Sequence, residues 1–349
     1  ITMIYTGGTT GMPKGVMWRQ DDLIRAVHGV ANATFLQDTE EVGIDTPVDS
    51  LTGPGAPGLP ACPLMHGTGW YTANLYLTAA GTLVLLESPH LDVEELLDTV
   101  QREKVGAMTI VGDAFAKPII RALDAEPDRW DISSVVLVTS SGVMWSNEGK
   151  EGLLRHNPGM LLLDSFSSSE AIGMGSSVSA AGVEDRTAHF SLGSAVKVFS
   201  DTGEEVQPGS GERGRVAIPG HVPLGYYKDP EKSAATFIER DGKRYSIPGD
   251  YATVEADGTI TLLGRGSVCI NTGGEKVFPE EVEEALKTHS LVHDAVVVGV
   301  PDEKFGEAIT GVVELAPGAT VGPEELVAHV KEHLAHYKAP KNVLFVDTI

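Results

Sequence analysis

Tyr5-Thr6-Gly7-Gly8-Thr9-Thr10-Gly11-Met12-Pro13-Lys14-Gly15 stands near the start of the chain and governs how the rest is read. Its glycines let backbone N–H groups approach a phosphate chain without interference from Cβ atoms. Thr9 and Thr10 add side-chain donors, and Lys14 adds a mobile point charge. The run follows the strand-like Met3-Ile4-Tyr5 and precedes a helical pattern from Asp21 to Phe35, so residues 1–35 are expected to form strand, phosphate loop and helix. The stretch is not a Walker A loop, because Pro13 precedes the lysine and Gly15 follows it. Composition alone leaves a flexible Gly/Thr-rich surface loop open as well.

The order of these residues resembles the phosphate loop of the adenylate-forming superfamily, which comprises acyl-CoA synthetases, luciferases and peptide-synthetase adenylation domains. Gly7 stands where serine is common in that family. The resemblance implies that Thr6, Gly8, Thr9, Thr10, Gly11 and Lys14 bind the phosphates of ATP. Further matches follow in the family's order along nearly the whole chain.

Pro63-Leu64-Met65-His66-Gly67-Thr68-Gly69 is similar to the family's Pro-Leu-x-His segment, which implies that His66 lies beside the substrate carboxylate. Read alone, a loop histidine more often has no task. Ser140-Ser141-Gly142-Val143 resembles the Ser-Gly-Gly-Ala turn against which relatives lay adenine, with Ser141 replacing the first glycine. Asp164-Ser165-Phe166-Ser167-Ser168-Ser169-Glu170 resembles the Tyr-Gly-x-Thr-Glu signature and is expected as a serine-rich loop after a strand. The resemblance implies nucleotide contacts from Ser165, adenine stacking by Phe166, an α-phosphate donor in Ser169 and a Mg²⁺ ligand in Glu170. Ser167 replaces the usual glycine.

Gly214–Tyr227 resembles the family's Gly-Tyr-Tyr region and is expected to be mainly structural. Pro248-Gly249-Asp250 is similar to Thr-Gly-Asp, which implies that Asp250 accepts from both ribose hydroxyls. Arg265, in the matching Gly264-Arg265, is implied to contact ribose or phosphate. Either residue alone reads as a surface ion pair. The resemblance further implies a hinge at Ser267 and passage of the CoA pantetheine arm at Gly273 and Gly274. Asn271 stands where relatives often carry lysine. Met12, Pro248-Gly249-Asp250 and the hinge segment together look most like fatty-acyl or steroid side-chain CoA synthetases of actinobacterial type.

With 349 residues, 42% of them apolar and 21% charged, the chain is expected to hold more than one globular domain. A net charge of −23 disfavours a nucleic-acid surface but leaves room for a local basic site. Two distant cysteines, Cys62 and Cys269, with no Cys-x-x-Cys pair, suggest a reduced cytoplasmic setting and argue against a metal–thiolate centre. No apolar run reaches membrane-spanning length, while peripheral membrane contact and homo-oligomerisation stay open. The chain starts inside a motif, not at Met, and ends at Ile349, before the Pro-x-x-x-x-Gly-Lys segment of relatives; both ends are therefore expected to be cut.

The expected fold class is α/β. Strand-like runs at Thr82–Leu86, Ala107–Val111, Val135–Thr139 and Met160–Leu163 alternate with helical patterns such as Asp92–Glu103, which implies a largely parallel sheet. The Pro/Gly-rich residues 43–69 read as an ordered loop. Turn pairs become frequent after about residue 185, and Asp257-Gly258 signals a hairpin, so residues 186–263 are read as a small antiparallel β subdomain. The expected domains are a large AMP-binding domain over 1–264 and a small α+β C-terminal domain over 265–349. In the latter, helices are expected from Pro279 and over Glu324–Tyr337, with strands at Ala295–Val300 and Val343–Val346.

The resemblance implies an acid–thiol ligase that uses ATP, Mg²⁺ and coenzyme A. A fatty or steroid side-chain carboxylate is adenylated, and the acyl group passes to CoA with release of AMP. Lys14, His66 and Glu170 are the implied catalytic residues. Two alternatives remain at this point: an acyl-AMP ligase or adenylation domain that loads a carrier protein, and a nucleotide-binding fragment without turnover.

Overall fold

The computed structural model describes residues 1–6, 14–35, 53–143, 145–182, 188–193, 195–266, 269–272, 275–302 and 306–349. The chain forms two compact units, one of residues 1–248 and 254–261, the other of residues 249–253 and 262–349.

In the first unit, β1 (Thr2–Thr6) and β2 (Lys14–Trp18) pair antiparallel, with Thr6 opposite Lys14 and Ile4 opposite Val16. This corrects the expected strand–loop–helix order: Lys14 opens a strand, and α1 (Gln20–Phe35) comes only after it. The reason is burial, since Val16 and Trp18 are fully enclosed and one side of the short strand serves the core. Later in the chain β11 (Gly225–Tyr226) adds to β2, with Tyr226 opposite Val16.

The main sheet starts with β3 (Gly58–Pro60), β4 (Ala107–Ile110), β5 (Leu137–Ser141) and β6 (Leu161–Ser168), all parallel and neighbouring in that order. Between these strands lie α2 (Gly67–Thr78), α3 (Val93–Glu103), α4 (Asp113–Ala125) and α5 (Asn147–His156). Helix α3 shows how the local sequence sets an element: Asp92 caps it by accepting from the Glu95 N–H, and Leu96, Leu97 and Val100 form the buried face. Those side chains pack with Leu59, Met108, Ile110, Val138 and Leu162 from the strands. Leu–Val-rich strands covered by helices are what a parallel sheet requires.

Two expectations fail here. Thr82–Leu86 is not a strand; Leu83 makes only an isolated bridge to Gly58, and Leu85 is exposed. The strand in its place is β3, inside the stretch read as a loop. The serine-rich motif is not a loop either. It continues β6 and turns at Ser169–Glu170 into antiparallel β7 (Ala171–Ser179). Alternation explains this: Asp164 and Phe166 point into the interior, while Ser165 and Ser167 are half-exposed. A register shift falls between Phe166 and Ser168, where Ser167 Oγ accepts from the Gly173 N–H.

Antiparallel β8 (His189–Leu192) extends the sheet. The rest of the first unit is antiparallel: β9 (Lys197–Phe199), β10 (Arg213–Pro219), β12 (Phe237–Arg240) and β13 (Lys243–Ser246). Helix α6 (Pro230–Thr236) follows β11. The hairpin of β14 (Asp250–Val254) and β15 (Ile260–Arg265) contributes residues to both units.

The second unit holds β16 (Ile270–Thr272), β17 (Glu275–Val277), α7 (Pro279–Lys287), β18 (Val292–Asp302), β19 (Gly306–Leu315), α8 (Pro323–His333) and β20 (Asn342–Val346). Its core joins Val282 and Leu286 of α7, Leu326 and Val330 of α8, and Val297, Ile309 and Val313 of the sheet. Helix α8 ends earlier than expected, at His333. Leu334 is extended, His336–Lys338 form a 3₁₀ turn, and Ala339 is extended as a residue before proline tends to be.

Candidate functional site

In the first unit, the pairing of β2 with β11 brings Lys14 together with Tyr226 and Asp229, which follow far along the chain. Lys14 Nζ lies 3.0 Å from Asp229 Oδ2, each side chain being about one-third exposed, and 5.5 Å from the centroid of the Tyr226 ring. Asp229 also caps α6 by accepting from the Lys232 N–H at 3.0 Å. That backbone bond first, and then Lys14, hold its carboxyl below the usual carboxylate range. The Tyr226 hydroxyl donates to Glu170 Oε1 at 2.8 Å.

Glu170 is held through its backbone as well as Oε1. Its carbonyl accepts from Ser246 Oγ at 2.7 Å, and the carbonyl of Ser169 accepts from the Trp18 indole N–H at 3.0 Å. The residue is buried, yet among the described residues its Oε2 has no hydrogen-bond partner. The hydroxyl of Tyr71 on α2 is likewise buried and has no partner among the described residues. Burial, and then the negative charge of Glu170, push this phenol far above its ordinary range. An enclosed carboxylate oxygen without a donor costs free energy unless a ligand satisfies it. No group of three or more metal-binding side chains occurs among the described residues. A hard cation that takes most of its oxygens from phosphates and water needs only one carboxylate, so Glu170 fits Mg²⁺ of that kind.

A second cluster surrounds Gly142. Gly142 has φ +102°, and a Cβ on it would lie 3.6 Å from His66 Cε1 and 3.8 Å from Thr68 Oγ1. His66 caps α2, its Nδ1 accepting from the Thr68 N–H at 3.3 Å. Thr68 Oγ1 donates to the carbonyl of Ser141 at 3.5 Å. The fold thus brings the histidine segment against the Ser140–Val143 turn. Ser140 Oγ is turned inward and accepts from the Gly112 N–H at 2.9 Å. Phe166 is buried, its ring 5.5 Å from that of Phe190, and Ser165 Oγ lies 3.3 Å from Ser167 Oγ. Beneath this strand Lys150 Nζ lies 3.7 Å from Asp164 Oδ2, both side chains almost fully buried.

In the second unit, Arg265 Nε donates to Asp250 Oδ1 at 3.1 Å, and Asp250 is buried. Glu280 at the start of α7 approaches this pair. Burial, followed among the raising influences by the charges of Glu283 and Asp250, lifts its carboxyl above the usual range. A Cβ on Gly264, whose φ is +121°, would meet Glu280 Oε2. Gly8, Thr9, Thr10, Gly11, Ser267, Gly273 and Gly274 lie outside the described residues, whereas Thr6 is half-buried at the end of β1. Tyr71, Tyr226 and Asp229, which the structure brings to Glu170 or Lys14, were not named as candidates from the sequence. The Gly-Tyr-Tyr match, read as mainly structural, was the only signal for Tyr226.

The parallel sheet, its antiparallel extension and the separate α+β unit define the fold of the adenylate-forming enzymes. The chain belongs to the AMP-binding enzyme family, whose profile matches residues 1–227, and the family's C-terminal domain matches residues 281–349. It is 42% identical over 353 residues to a medium/long-chain-fatty-acid–CoA/3-oxocholest-4-en-26-oate–CoA ligase of Mycobacterium tuberculosis, covering 100% of this chain and 63% of the relative. It is also 42% identical over 362 residues to a 3-oxocholest-4-en-26-oate–CoA ligase of Rhodococcus rhodochrous, with the same coverage. Among solved structures, ATP-bound MatB from Rhodopseudomonas palustris superposes with a TM-score of 0.79 at 24% identity, over 99% of this chain and 64% of that one. The chain thus spans about 63% of the length of the curated relatives it matches.

Proposed function

We propose that the protein is an AMP-forming acyl-CoA synthetase acting on a fatty-acyl or steroid side-chain carboxylate. The observation that carries this reading is Glu170, a buried carboxylate with one oxygen bonded and the other enclosed without a partner among the described residues, in the same unit as the phosphate-loop lysine. The names of the relatives at 42% identity support the substrate class.

In this reading the substrate carboxylate attacks the α-phosphorus of ATP, and pyrophosphate leaves. The CoA thiolate then attacks the acyl carbonyl, and AMP leaves. Such chemistry depends on positioning and charge compensation. Lys14 is the mobile cation: its pair with Asp229 is part-exposed and weak enough for a phosphate to replace. Glu170 would hold Mg²⁺, which when bound supplies positive charge to the phosphate oxygens. Gly142 offers a bare backbone surface for adenine, and the adjacent exposed His66 is placed for the carboxylate. Asp250, oriented by Arg265, is assigned to the ribose hydroxyls. Phe166, Ser165 and Ser169 are assigned to the nucleotide, Thr6, Gly8, Thr9, Thr10 and Gly11 to its phosphates, Ser267 to the hinge, and Gly273 and Gly274 to pantetheine, on the family resemblance.

Among the described residues no helix is long and apolar enough to cross a membrane. Burial pushes the Cys62 thiol up to about 11, so it stays protonated and unreactive near neutral pH. Two distant cysteines without a Cys-x-x-Cys pair support a reduced, cytoplasmic setting. The test is a panel of fatty, aryl and steroid carboxylates offered to the full-length protein with ATP, Mg²⁺ and CoA. The reading expects acyl-CoA from the fatty or steroid members. Adenylate formation without any use of CoA would instead indicate a carrier-protein acceptor.

A further inference from the structure

We propose that Tyr226 is a positioning residue that sets how Glu170 and Lys14 meet the nucleotide: its hydroxyl takes Glu170 Oε1, which leaves Oε2 alone for the cation, and its ring flanks Lys14. This inference rests on the reading of Glu170 as the Mg²⁺ ligand.

The Tyr226 side chain is fixed from several directions. Its backbone pairs with Val16 on β2, and its N–H donates to Ser233 Oγ at 2.8 Å. Its ring packs against Phe237 at 5.5 Å, tilted by 50°, and the residue is buried. A side chain held in this way has little freedom to follow a partner, so it orients that partner instead. The hydroxyl meets Glu170 Oε1 at 2.8 Å, and the same ring lies 5.5 Å from Lys14 Nζ.

The choice of a phenol suits the task. A buried carboxylate needs a donor on at least one oxygen, or it turns toward whichever donor is near. Lysine or arginine in that place would neutralise it and weaken its attraction for a cation. A phenol gives one hydrogen and stays neutral near pH 7, so the full negative charge remains on Glu170. Asp229, not Glu170, takes the charge of Lys14. Glu170 is therefore held by a neutral partner that leaves its charge available to a ligand.

The test compares wild type, Y226F, E170Q and the double variant by calorimetric binding of the α,β-methylene analogue of ATP, with and without Mg²⁺. This analogue cannot react, so binding is read apart from turnover. Y226F is expected to weaken binding about tenfold in the presence of Mg²⁺, the size of a lost hydrogen bond to a charged group. Without Mg²⁺ it should change affinity by less than about twofold, and in the E170Q background it should add nothing further. Melting of Y226F should stay close to wild type. Equal losses with and without Mg²⁺, additive losses in the double variant, or a Y226F protein that does not fold would each overturn the proposal and make Tyr226 purely structural. If E170Q shows the wild-type Mg²⁺ dependence, Glu170 is not the ligand, and the reading beneath the proposal fails with it. If E170Q loses that dependence and Y226F keeps it, only the role of Tyr226 falls.

Discussion

Arg265 Nε donates to Asp250 Oδ1 at 3.1 Å, tying the last residue of β15 to the first residue of β14. Asp250 is buried, whereas the Arg265 side chain is 35% exposed and can be hydrated if its partner is removed. Asp250→Ala is therefore expected to leave the fold largely intact and to weaken ATP binding by about 1.5–3 kcal/mol, the cost of charged hydrogen bonds to the ribose. Calorimetric titration with ATP checks this. A folded variant with wild-type affinity would remove Asp250 from the nucleotide site.

Gly142 has φ +102°, outside the range that residues with a Cβ adopt readily, although ordinary contact distances separate its Cβ position from His66 and Thr68. Gly142→Ala should thus act through backbone strain more than through a clash, and destabilise the protein by about 1–2 kcal/mol. The turn would also shift against His66, so affinity for AMP should fall in parallel. Urea unfolding and AMP titration of the same preparation measure both effects.

Lys150 and Asp164 form an ion pair that is almost wholly buried between α5 and β6. Removing one partner of such a pair leaves the other charge in a poor environment. Lys150→Met is expected to cost about 3–5 kcal/mol, far more than removing an exposed pair such as Lys197–Glu205. Equilibrium unfolding of both variants makes the comparison, and equal effects would contradict it.

His28 is buried between α1 and α2, where its Nε2 meets Thr78 Oγ1 at 3.1 Å. Burial lowers its pKa below 6.5. The unfolded chain then binds more protons than the folded one as pH falls through 6.5, so this contribution to stability declines with acidification and levels off below the folded pKa. Unfolding midpoints measured from about pH 7.5 to about pH 5.5 should fall more steeply for wild type than for His28→Gln. Parallel slopes would show that His28 does not carry the dependence.

The sequence offered candidates where chemistry is local and charged. Lys14, Glu170 and Asp250 are recognisable because each ends or begins a short motif, and the order of the motifs is itself informative. Strands β4 and β5 were legible as apolar runs. Strand β3 was not, because three residues that begin with glycine and end with proline carry no periodic signal. Thr82–Leu86 has strand-like composition but lacks a continuous partner, and pairing is what makes a strand. The serine-rich motif became a hairpin for the converse reason: Leu137–Ser141 on one side and β7 on the other supply the pairing its side chains do not predict. Tyr226 was hidden because its partner Glu170 lies 56 residues away. Long-range contacts of that kind leave no mark in spacing.

The most direct test of the account follows the fate of ATP labelled at the α-phosphate, with the full-length protein, a fatty or steroid carboxylate, CoA and Mg²⁺. The account predicts that all consumed label appears as AMP, in equal amount to acyl-CoA and pyrophosphate, and that Glu170→Gln slows this by about 10²–10³. Label recovered as ADP, or carboxylate-dependent AMP formation at the wild-type rate in Glu170→Gln, would contradict it.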